Sequence, residues 1–491
     1  MKLSLAAIAF CFALASPAWA GGAQSLSRQL GELVDEFQRT NRAAVGVSVV
    51  DLPAGREVFA SRADQVFIPA SNQKLLTSAF ALARLGGGFQ FTTTVARVGD
   101  SVIISGDFDP TLGDPIIAAQ RGQSIYHELN RWSQAIRTSF ETSIPGDIII
   151  RSRVAPGEFF HPRWKRRHRS LWYGAPVAGL NFHDNCFDVT FVERAGRIVP
   201  RVAPASRYIR VINQTRPGPR QLWRLVPSKG DSVVTISGRV KSASADPLSV
   251  AMTDPPMVLG FALAERLAQA GVTVKGGLRK LDAGRVSLAE ATVLCDTRTG
   301  IFDVIRRANK RSLNLAAECL LLRAGDGTWP GSSKLMHKTL VEKFGLAAGE
   351  LVISDGGGLS RANKVSPRNV TKLLQAMIAR PDFAGFLDSL PRNGVDGTLR
   401  RRLRGRKYQG LVAGKTGYVS GVVALSGYIL APNVVAKNAT TAPGHATRQG
   451  CSQKPVFAFS ILLNRVANAG QAKRFQNRLC KLLIDAVLSN Q

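Results

Sequence analysis

The stretch PASNQKLLTSAFAL, residues 69–82, places a serine and a lysine at the start of a predicted helix. Ser71 and Lys74 stand three residues apart, and the sequence turns apolar from Leu75 onward. Positions i and i+3 lie on one helix face, with Cβ atoms about 5–6 Å apart, so the two side chains can touch. The N–H groups at the helix N-terminus would favour negative charge developing beside Ser71. An N-cap serine next to a solvated lysine produces the same pattern, so these residues alone do not decide the function.

Two further short motifs follow in the chain. The pair Ser71 and Lys74 is the only Ser-x-x-Lys of the sequence; a Ser-Leu-Asn triplet follows at 312–314, and the only Lys-Thr-Gly lies at 415–417. This ordered set is the signature of penicillin-binding proteins and serine β-lactamases. Each motif is weak alone, whereas the three in this order are specific for that group of enzymes.

The chemistry of acyl transfer explains these residue types. A serine hydroxyl is a poor nucleophile until a base removes its proton. Lys74 can be the base for Ser71 only if burial and a neighbouring cation lower its pKa, and Lys415 would be that cation. Ser312 would pass the proton to the leaving amine, and the amide of Asn314 would orient Lys74 and the substrate.

The Lys-Thr-Gly motif lies on a predicted strand, and a strand edge lets an extended substrate peptide add as a further strand. Thr416 and Gly417 would therefore contact the substrate. The backbone N–H groups of Ser71 and Tyr418 would form the oxyanion hole. Loss of one such donor typically slows a reaction by about 10²–10³.

The composition is that of a globular, exported protein. The 491 residues are too many for one core and indicate two or three domains. Contents of 45% hydrophobic and 20% charged residues exclude a disordered chain. Residues 1–20 combine one lysine, a short apolar run and Ala-Trp-Ala, which predicts a secretory signal peptide cut after Ala20. No later segment is long enough to span a bilayer, so we expect a soluble, exported protein.

The formal net charge is +31, with basic clusters at 163–169 and 400–407. Such a charge predicts attraction to polyanions. The sequence contains no nucleic-acid-binding motif, and export argues against nucleic acid as the partner. Cell-wall polymers and anionic lipid surfaces are the polyanions that an exported protein meets. Solvated arginines of a basic proteome explain the charge equally well. The histidines and cysteines lack metal-site spacing, so we expect no metal. The five cysteines left without Cys11 cannot all pair within one chain.

Helices and strands at both ends of the chain bracket a long middle section. Residues 124–150 predict a helix, then a glycine, then a strand, and residues 261–278 weakly repeat this order. The repeat indicates one subdomain built from two separated pieces of the chain. Residues 175–245 alternate apolar and polar residues and predict a β-rich unit. The final helix carries an apolar stripe from Phe475 to Val487, which favours core packing over an amphipathic membrane anchor.

These patterns indicate an α/β domain interrupted by a long insertion. We assign residues 21–91 and 292–491 to the catalytic domain. Residues 92–174 and 246–291 would form a mixed α/β insertion subdomain, and residues 175–245 the β-rich insertion subdomain.

The sequence resembles a known family, the D-Ala-D-Ala carboxypeptidase/endopeptidases, which are low-molecular-mass class C penicillin-binding proteins. The resemblance covers nearly the whole mature chain. It rests on the motifs above and on segments such as SGDFDPTLGDP (105–115), YGAPVAGLNFHDNCFDV (173–189), DGGGLSRANKVSP (355–367) and GKTGYVSGVVALSGYI (414–429). The family carries a large two-part insertion between the first two motifs, whereas β-lactamases have a far shorter gap there.

The resemblance implies both a fold and an activity. The fold would be an α/β (α+β) penicillin-binding protein/β-lactamase-like domain, in which helices flank an antiparallel sheet and the two-part insertion interrupts the chain. The enzyme would be periplasmic, would trim D-alanine from peptidoglycan muropeptides or cut their D,D-cross-links, and would be acylated by β-lactam antibiotics. No cofactor is implied. Membrane contact would be peripheral at most, and the oligomeric state stays open.

Three departures from the family pattern bear on specificity. The middle motif is usually Ser-Asp-Asn, and Leu313 replaces its central residue. Tyr418 stands where the family usually has a serine or threonine whose hydroxyl helps to hold the terminal carboxylate, so carboxypeptidase activity could be weak. Relatives have an acidic residue three positions after a tryptophan, and here Arg167 follows Trp164 at that distance. We expect Arg167 to shift the preference from an amino group toward a carboxylate or a neutral side chain.

Two other classes remain as alternatives. A catalytically weak peptidoglycan-binding homologue would keep the fold, and Tyr418 and the basic clusters favour it. A serine β-lactamase or esterase is disfavoured by the long insertion. A Ser-His-Asp hydrolase is disfavoured because the chain has no Gly-x-Ser-x-Gly elbow.

Overall fold

The structure is a computed structural model that describes residues 17–152, 158–226, 233–282, 290–432 and 453–489. Its α-helices are Pro17–Thr40 (α1), Gln73–Leu85 (α2), Pro115–Gln120 (α3), His127–Phe140 (α4), Pro255–Gln269 (α5), Ile301–Lys310 (α6), Asn314–Ala324 (α7), Trp329–Phe344 (α8), Pro367–Ile378 (α9), Phe383–Ser389 (α10) and Ala469–Ser489 (α11). Short 3-10 helices cover Ala70–Asn72 (η1), Arg166–His168 (η2), Trp172–Gly174 (η3), His183–Asn185 (η4), Ala348–Glu350 (η5) and Gly397–Leu399 (η6).

The strands fall into three groups along the chain. Those before the β-rich section are Ala44–Asp51 (β1), Arg56–Ser61 (β2), Gln90–Val98 (β3), Ser101–Ser105 (β4), Ser143–Ile144 (β5) and Ile148–Ser152 (β6). Those of the β-rich section are Cys186–Arg194 (β7), Arg197–Ala203 (β8), Arg210–Pro217 (β9), Leu222–Val226 (β10), Val233–Val240 (β11) and Ser244–Ala251 (β12). Those after it are Thr273–Val274 (β13), Leu278–Asp282 (β14), Thr292–Gly300 (β15), Leu351–Val352 (β16), Lys364–Val365 (β17), Val412–Val419 (β18), Val422–Leu430 (β19) and Pro455–Asn464 (β20).

The main sheet joins the two ends of the chain in the order β18-β19-β20-β1-β2, with every neighbouring pair antiparallel. Because side chains point alternately to the two faces of a strand, each face of the sheet packs against a separate hydrophobic core. In β20, Phe459 and Ile461 join α1 and α11 on one face, whereas Ala458 and Leu462 join α2, α7, α8 and α9 on the other. This layered arrangement is the predicted antiparallel sheet flanked by helices.

A second sheet has the order β14-β6-β4-β3-β15 and packs against α4 and α5. Within it, β14 pairs with β6 in parallel, and the short strands β13 and β5 pair in the same way. The two successions α4-β5-β6 and α5-β13-β14 therefore lie side by side, which supports the prediction that the two similar pieces of sequence build one subdomain. The β-rich section forms two further three-stranded sheets, in the orders β10-β11-β9 and β12-β7-β8.

The domain division stays a prediction, and the strand pairing bears on its edges. The predicted catalytic domain includes residues 292–300, yet these residues form β15 and pair with β3 in the second sheet. The chain enters the helical layer only at Ile301, where α6 begins. Likewise β12, at residues 244–251, pairs with β7 of the β-rich section.

The terminal helix α11 packs in the core, as predicted. Phe475, Leu479, Leu483 and Val487 are buried in the core cluster shared with α1 and the main sheet. Among the described residues, no helix combines the length and apolar character needed to cross a bilayer.

Some predictions concern residues outside the ranges that the structure describes. Most of the predicted signal peptide and Cys451 lie outside the described residues, as does nearly all of the predicted loop at 432–453. The thiols of Cys186, Cys295, Cys319 and Cys480 are unpaired.

Candidate active site

Ser71 lies in η1, directly before α2, and the turn is held from two sides. Ala70 adopts a left-handed conformation with φ 47°, which costs energy for a residue with a side chain. Gly358, with φ 82°, approaches so closely that a Cβ there would collide with the carbonyl oxygen of Ala70. On the other side, Asn72 Nδ2 donates to the carbonyl oxygen of Lys415 at 2.7 Å, which ties the turn to β18.

Lys74 occupies the first turn of α2 and is fully buried. Its Nζ is 3.2 Å from Ser71 Oγ, and it donates to Asn314 Oδ1 at 2.5 Å and to the carbonyl oxygen of Gly357 at 2.6 Å. The i and i+3 pair at the helix start therefore makes the contact that its spacing predicts. Asn314 Nδ2 in turn donates to the carbonyl oxygen of Tyr173 at 2.6 Å, which holds the amide in place.

The pKa of Lys74 is lowered because the amine is buried. Burial lowers the pKa of Lys74 to about 8, although the carboxylates of Glu318 and Asp355 oppose that change. Glu318 is buried beneath the same site, and burial together with Asp355 raises its pKa to about 8. Three N–H groups, from Gly356, Gly357 and the Trp329 indole, donate to this carboxylate. A lysine in such surroundings can give up its proton near neutral pH.

A second buried lysine faces Ser312. Lys415 lies on β18, and its Nζ donates to Ser312 Oγ and to the carbonyl oxygen of Thr416, both at 2.9 Å. Burial and the nearby charge of Lys74 hold the pKa of Lys415 well below its usual value. Ser312 sits between α6 and α7 with φ 59°, a left-handed conformation uncommon for serine. Strained backbone of this kind persists where the surrounding structure supports it, often at functional sites.

The predicted substrate-binding residues lie along β18, which forms one edge of the main sheet. Thr416 Oγ1 donates to Thr398 Oγ1 at 2.8 Å. Gly417 lies against the serine turn, since a Cβ there would be 2.8 Å from the Pro69 carbonyl oxygen and 3.2 Å from the Ser71 nitrogen. Tyr418 points outward and is 62% exposed.

The cleft in front of Ser71 has a volume of about 690 Å³, and one of its walls is basic. Arg163, Lys165, Arg167, His168 and Arg361 line it, and none of its lining residues is acidic. Arg167 is thus at the cleft, within η2, where Arg163, Lys165 and Arg361 are the neighbouring cations. The concentration of one charge sign in a concave site favours an anionic ligand.

The structure brings Ser71, Lys74, Ser312, Asn314 and Lys415 into one connected site. Sequence reasoning missed several groups around it: Glu318, the carbonyl oxygens of Gly357 and Tyr173, and Thr398. No short motif marks these groups, because each reaches the site through tertiary packing. Within the described ranges, no group of three or more His, Cys, Asp or Glu side chains is arranged to hold a metal ion.

Two proteins of similar sequence are named D-alanyl-D-alanine carboxypeptidases. The sequence is 29% identical over 453 residues to the D-alanyl-D-alanine carboxypeptidase of Actinomadura sp. (strain R39), covering 85% of this chain and 81% of that one. It is 26% identical over 384 residues to the D-alanyl-D-alanine carboxypeptidase DacB of Haemophilus influenzae, covering 74% of this chain and 77% of that one.

Solved structures show the same fold. Penicillin binding protein 4 (dacB) from Haemophilus influenzae superposes with a TM-score of 0.72 at 20% identity, covering 92% of this chain and 99% of that chain. Bd3459, a predatory peptidoglycan endopeptidase from Bdellovibrio bacteriovorus, superposes with a TM-score of 0.51 at 12% identity, covering 90% and 93% respectively. The predicted α/β fold of the penicillin-binding proteins is therefore confirmed.

The family profile extends this likeness to the sequence as a whole. The profile of the D-Ala-D-Ala carboxypeptidase 3 (S13) family matches residues 26–483, which include all three motifs and the insertion. The chain belongs to the D-Ala-D-Ala carboxypeptidase 3 (S13) family of serine peptidases.

Proposed function

We propose that this protein is a D-Ala-D-Ala carboxypeptidase and D,D-endopeptidase that acts on peptidoglycan stem peptides through an acyl-enzyme on Ser71. The observation that carries the proposal is the contact between Lys74 Nζ and Ser71 Oγ at 3.2 Å, made by a fully buried lysine whose pKa lies at about 8. A buried amine of this kind is a competent general base for a serine hydroxyl.

Acylation begins when neutral Lys74 takes the hydroxyl proton of Ser71. The Ser71 Oγ–carbon bond forms at the carbonyl carbon of the penultimate D-alanine, and the oxyanion lies against the N–H groups of Ser71 and Tyr418. The carbon–nitrogen bond then breaks as the leaving amine takes a proton from Ser312, which is replenished along the hydrogen bond from Lys415. The products are an acyl-enzyme and free D-alanine, or the released cross-linking peptide.

Deacylation uses water. Lys74 first passes the proton that it took from Ser71 to Lys415, which gave one up through Ser312 during acylation, and is then neutral again. It accepts a proton from the attacking water molecule, the new oxygen–carbon bond forms, and Ser71 leaves as Lys74 returns this proton to its hydroxyl. Asn314 holds Lys74 during both steps, because its Oδ1 accepts from Nζ at 2.5 Å. Every group needed is supplied by the protein, and the proposal includes no cofactor.

The setting of the reaction is part of the proposal. A β-lactam presents a strained amide to the same serine, and the solved structures of similar fold include penicillin binding protein 4 in complex with a β-lactam. Peptidoglycan as substrate and the periplasm as location rest on the family and on the apolar N-terminal segment of the sequence. Masses of the mature protein should then correspond to a chain that starts at Gly21.

Arg167 should favour stem peptides with a carboxylate or a neutral group at the side chain of the diamino acid. Its place on the basic wall supports this role. The matched test compares the rates on stem peptides with a free amine and with the acetylated amine, for the wild type and for Arg167→Asp. Faster turnover of the free amine by the wild type would contradict the proposed role.

The experiment that tests the proposed activity is product analysis with purified D-Ala-D-Ala-terminated muropeptides and cross-linked dimers. We expect D-alanine from the monomers and monomers from the dimers, with both products absent for Lys74→Met. A catalytically weak peptidoglycan-binding protein is the second candidate, favoured by the bulk of Tyr418 beside the cleft. Binding of muropeptides without any product from the folded wild type would support that candidate and contradict ours.

A further inference from the structure

A second groove adjoins the catalytic cleft on the far side of Trp172. It consists of two cavities of about 590 and 310 Å³, and Ile116, Trp172, Asp184, Arg311 and Leu313 line both of them. Trp172 also lines the catalytic cleft, so its ring marks the point where the spaces meet. This side chain is 43% exposed, and a large aromatic surface at such a junction is suited to stacking on a bound chain.

The groove leads away from the side of the cleft where the leaving group would lie. Ser312 lines the cleft, whereas its two neighbours Arg311 and Leu313 line the groove. Thr398 lines both the cleft and the groove, and its hydroxyl accepts a hydrogen bond from the hydroxyl of Thr416 on the substrate-binding strand. Under the proposed function, Ser312 protonates the leaving amine, so whatever is attached to that amine emerges beside these residues.

Some charged side chains of the groove have partners within the protein, and others do not. Lys310 is paired with Asp396, and Asp188 accepts the hydroxyl of Ser249. The floor of the groove contains Arg307, which is only 7% exposed and is bonded to the carboxylates of Asp114 and Asp184, so this charge is already compensated. Arg311 and Arg400 at the rim differ. Both are exposed, and no carboxylate in the described part of the chain lies within ion-pairing distance of either. These two guanidinium groups are available to a ligand.

We propose that this groove binds the leaving peptide of a cross-linked substrate, with Arg311 and Arg400 pairing with its carboxylates and Trp172 stacking at the entrance. A free D-alanine leaving group is too small to reach the groove. The groove therefore separates endopeptidase from carboxypeptidase activity. This inference rests on the proposed function, since it assigns a second strand to the same catalytic site.

The test compares two substrates on matched variants. The substrates are a D,D-cross-linked stem-peptide dimer with free carboxylates and a monomer that ends in D-Ala-D-Ala. Arg311→Ala/Arg400→Ala removes the two rim cations. Arg404→Ala/Arg406→Ala removes the same net charge from exposed positions that do not line the groove. Ala119→Trp fills the groove from an exposed position on α3, which favours a folded product.

We expect kcat/KM for the dimer to fall about five- to tenfold in the rim double variant, as two partly exposed ion pairs are lost. The Ala119→Trp variant should lose a similar or larger factor, and monomer trimming should change less than twofold in both. A dimer whose leaving-peptide carboxylates are amidated should be insensitive to loss of the rim arginines. The Arg404/Arg406 variant should behave as the wild type on both substrates.

The outcomes separate the two proposals. Parallel losses on dimer and monomer, or no loss on the dimer, would overturn the inference while leaving the activity of Ser71 intact. Trimming of the monomer without any cleavage of the dimer by the wild type would also overturn it. A wild type that forms no penicillin adduct and releases no product from either substrate would overturn the proposed function itself.

Discussion

At the scale of single residues, the proposed catalysis depends on two buried lysines with different tasks. Lys74 contacts the nucleophile and Lys415 contacts Ser312, and burial lowers the pKa of both. The short motifs reveal both lysines because the chemistry requires these residue types at these spacings. The carboxylate of Glu318 is not predictable in this way, since a single glutamate in the apolar stretch LNLAAECLLL gives no sign that it is buried under Lys74.

The pH dependence of acylation should report the proton on Lys74. The base is active when neutral, so the rate of acylation by benzylpenicillin should rise with pH through about 8, the pKa of Lys74. Glu318, whose own pKa is about 8, raises the pKa of Lys74 once its carboxyl is ionised, and Glu318→Gln removes this charge and should therefore move the profile to lower pH. The acylation rate measured from pH 5 to 10 checks this, with thermal unfolding as a control for folding. A profile that stays in place or moves to higher pH would argue against Lys74 as the base.

Tyr418 should limit the release of D-alanine. Its side chain is 62% exposed, and Lys473 Nζ lies 5.7 Å from the ring centre. Tyr418→Thr supplies a short hydroxyl for the terminal carboxylate and keeps the backbone N–H, so kcat/KM for D-alanine release should rise about three- to tenfold. Tyr418→Phe keeps the bulk and should bring no gain. Equal activity of the threonine and phenylalanine variants would rule out a role for the hydroxyl position.

At the scale of elements, the site depends on how closely the serine turn, β18 and the segment around Gly358 approach one another. The order of helices and strands could largely be predicted, because α2, β18, β19 and β20 have strong apolar patterns. Their mutual distances could not, since they come from packing between segments far apart in the chain. The edge of the insertion shows the same limit: the sequence of β15 does not reveal that its partner is β3.

Substitution of Gly358 should disturb the serine turn. Its φ of 82° disfavours any side chain, and a Cβ would collide with the carbonyl oxygen of Ala70. Gly358→Ala should lower the free energy of unfolding by about 1–3 kcal/mol and slow acylation of Ser71. Gly349→Ala is the matched control, because a Cβ at Gly349 meets no atom within 4 Å. Denaturant unfolding and acylation rates check both variants, and an unaffected Gly358→Ala would show that the turn is not held in this way.

At the scale of the whole molecule, the predicted insertion contributes residues to the candidate site. The carbonyl oxygen of Tyr173 holds Asn314, and the basic wall of the cleft comes largely from residues 163–168. A buried ionic cluster joins these parts: Arg307 on α6 is bonded to Asp114 at the start of α3 and to Asp184 in η4. The resemblance in sequence predicted that an insertion exists, but only the structure shows that it forms one side of the cleft.

Removal of Arg307 should therefore destabilise the molecule. Arg307→Met leaves the buried carboxylate of Asp114 without its partner and should cost about 3–5 kcal/mol of unfolding free energy. Arg306→Met on the same helix is the control, because that guanidinium is 44% exposed and pairs with surface carboxylates, a contribution of about 0–1 kcal/mol. Chemical denaturation followed by circular dichroism measures the difference. Equal stability of the two variants would contradict this view of the cluster.

The central claim is that Ser71 is the acylated nucleophile of a slowly deacylating enzyme. The most direct measurement is the intact mass of the mature protein and of Ser71→Ala after incubation with benzylpenicillin. We expect one stable adduct of the mass of the drug on the wild type and none on the folded variant. An adduct on Ser71→Ala, or neither adduct nor penicillin hydrolysis with the folded wild type, would contradict the claim.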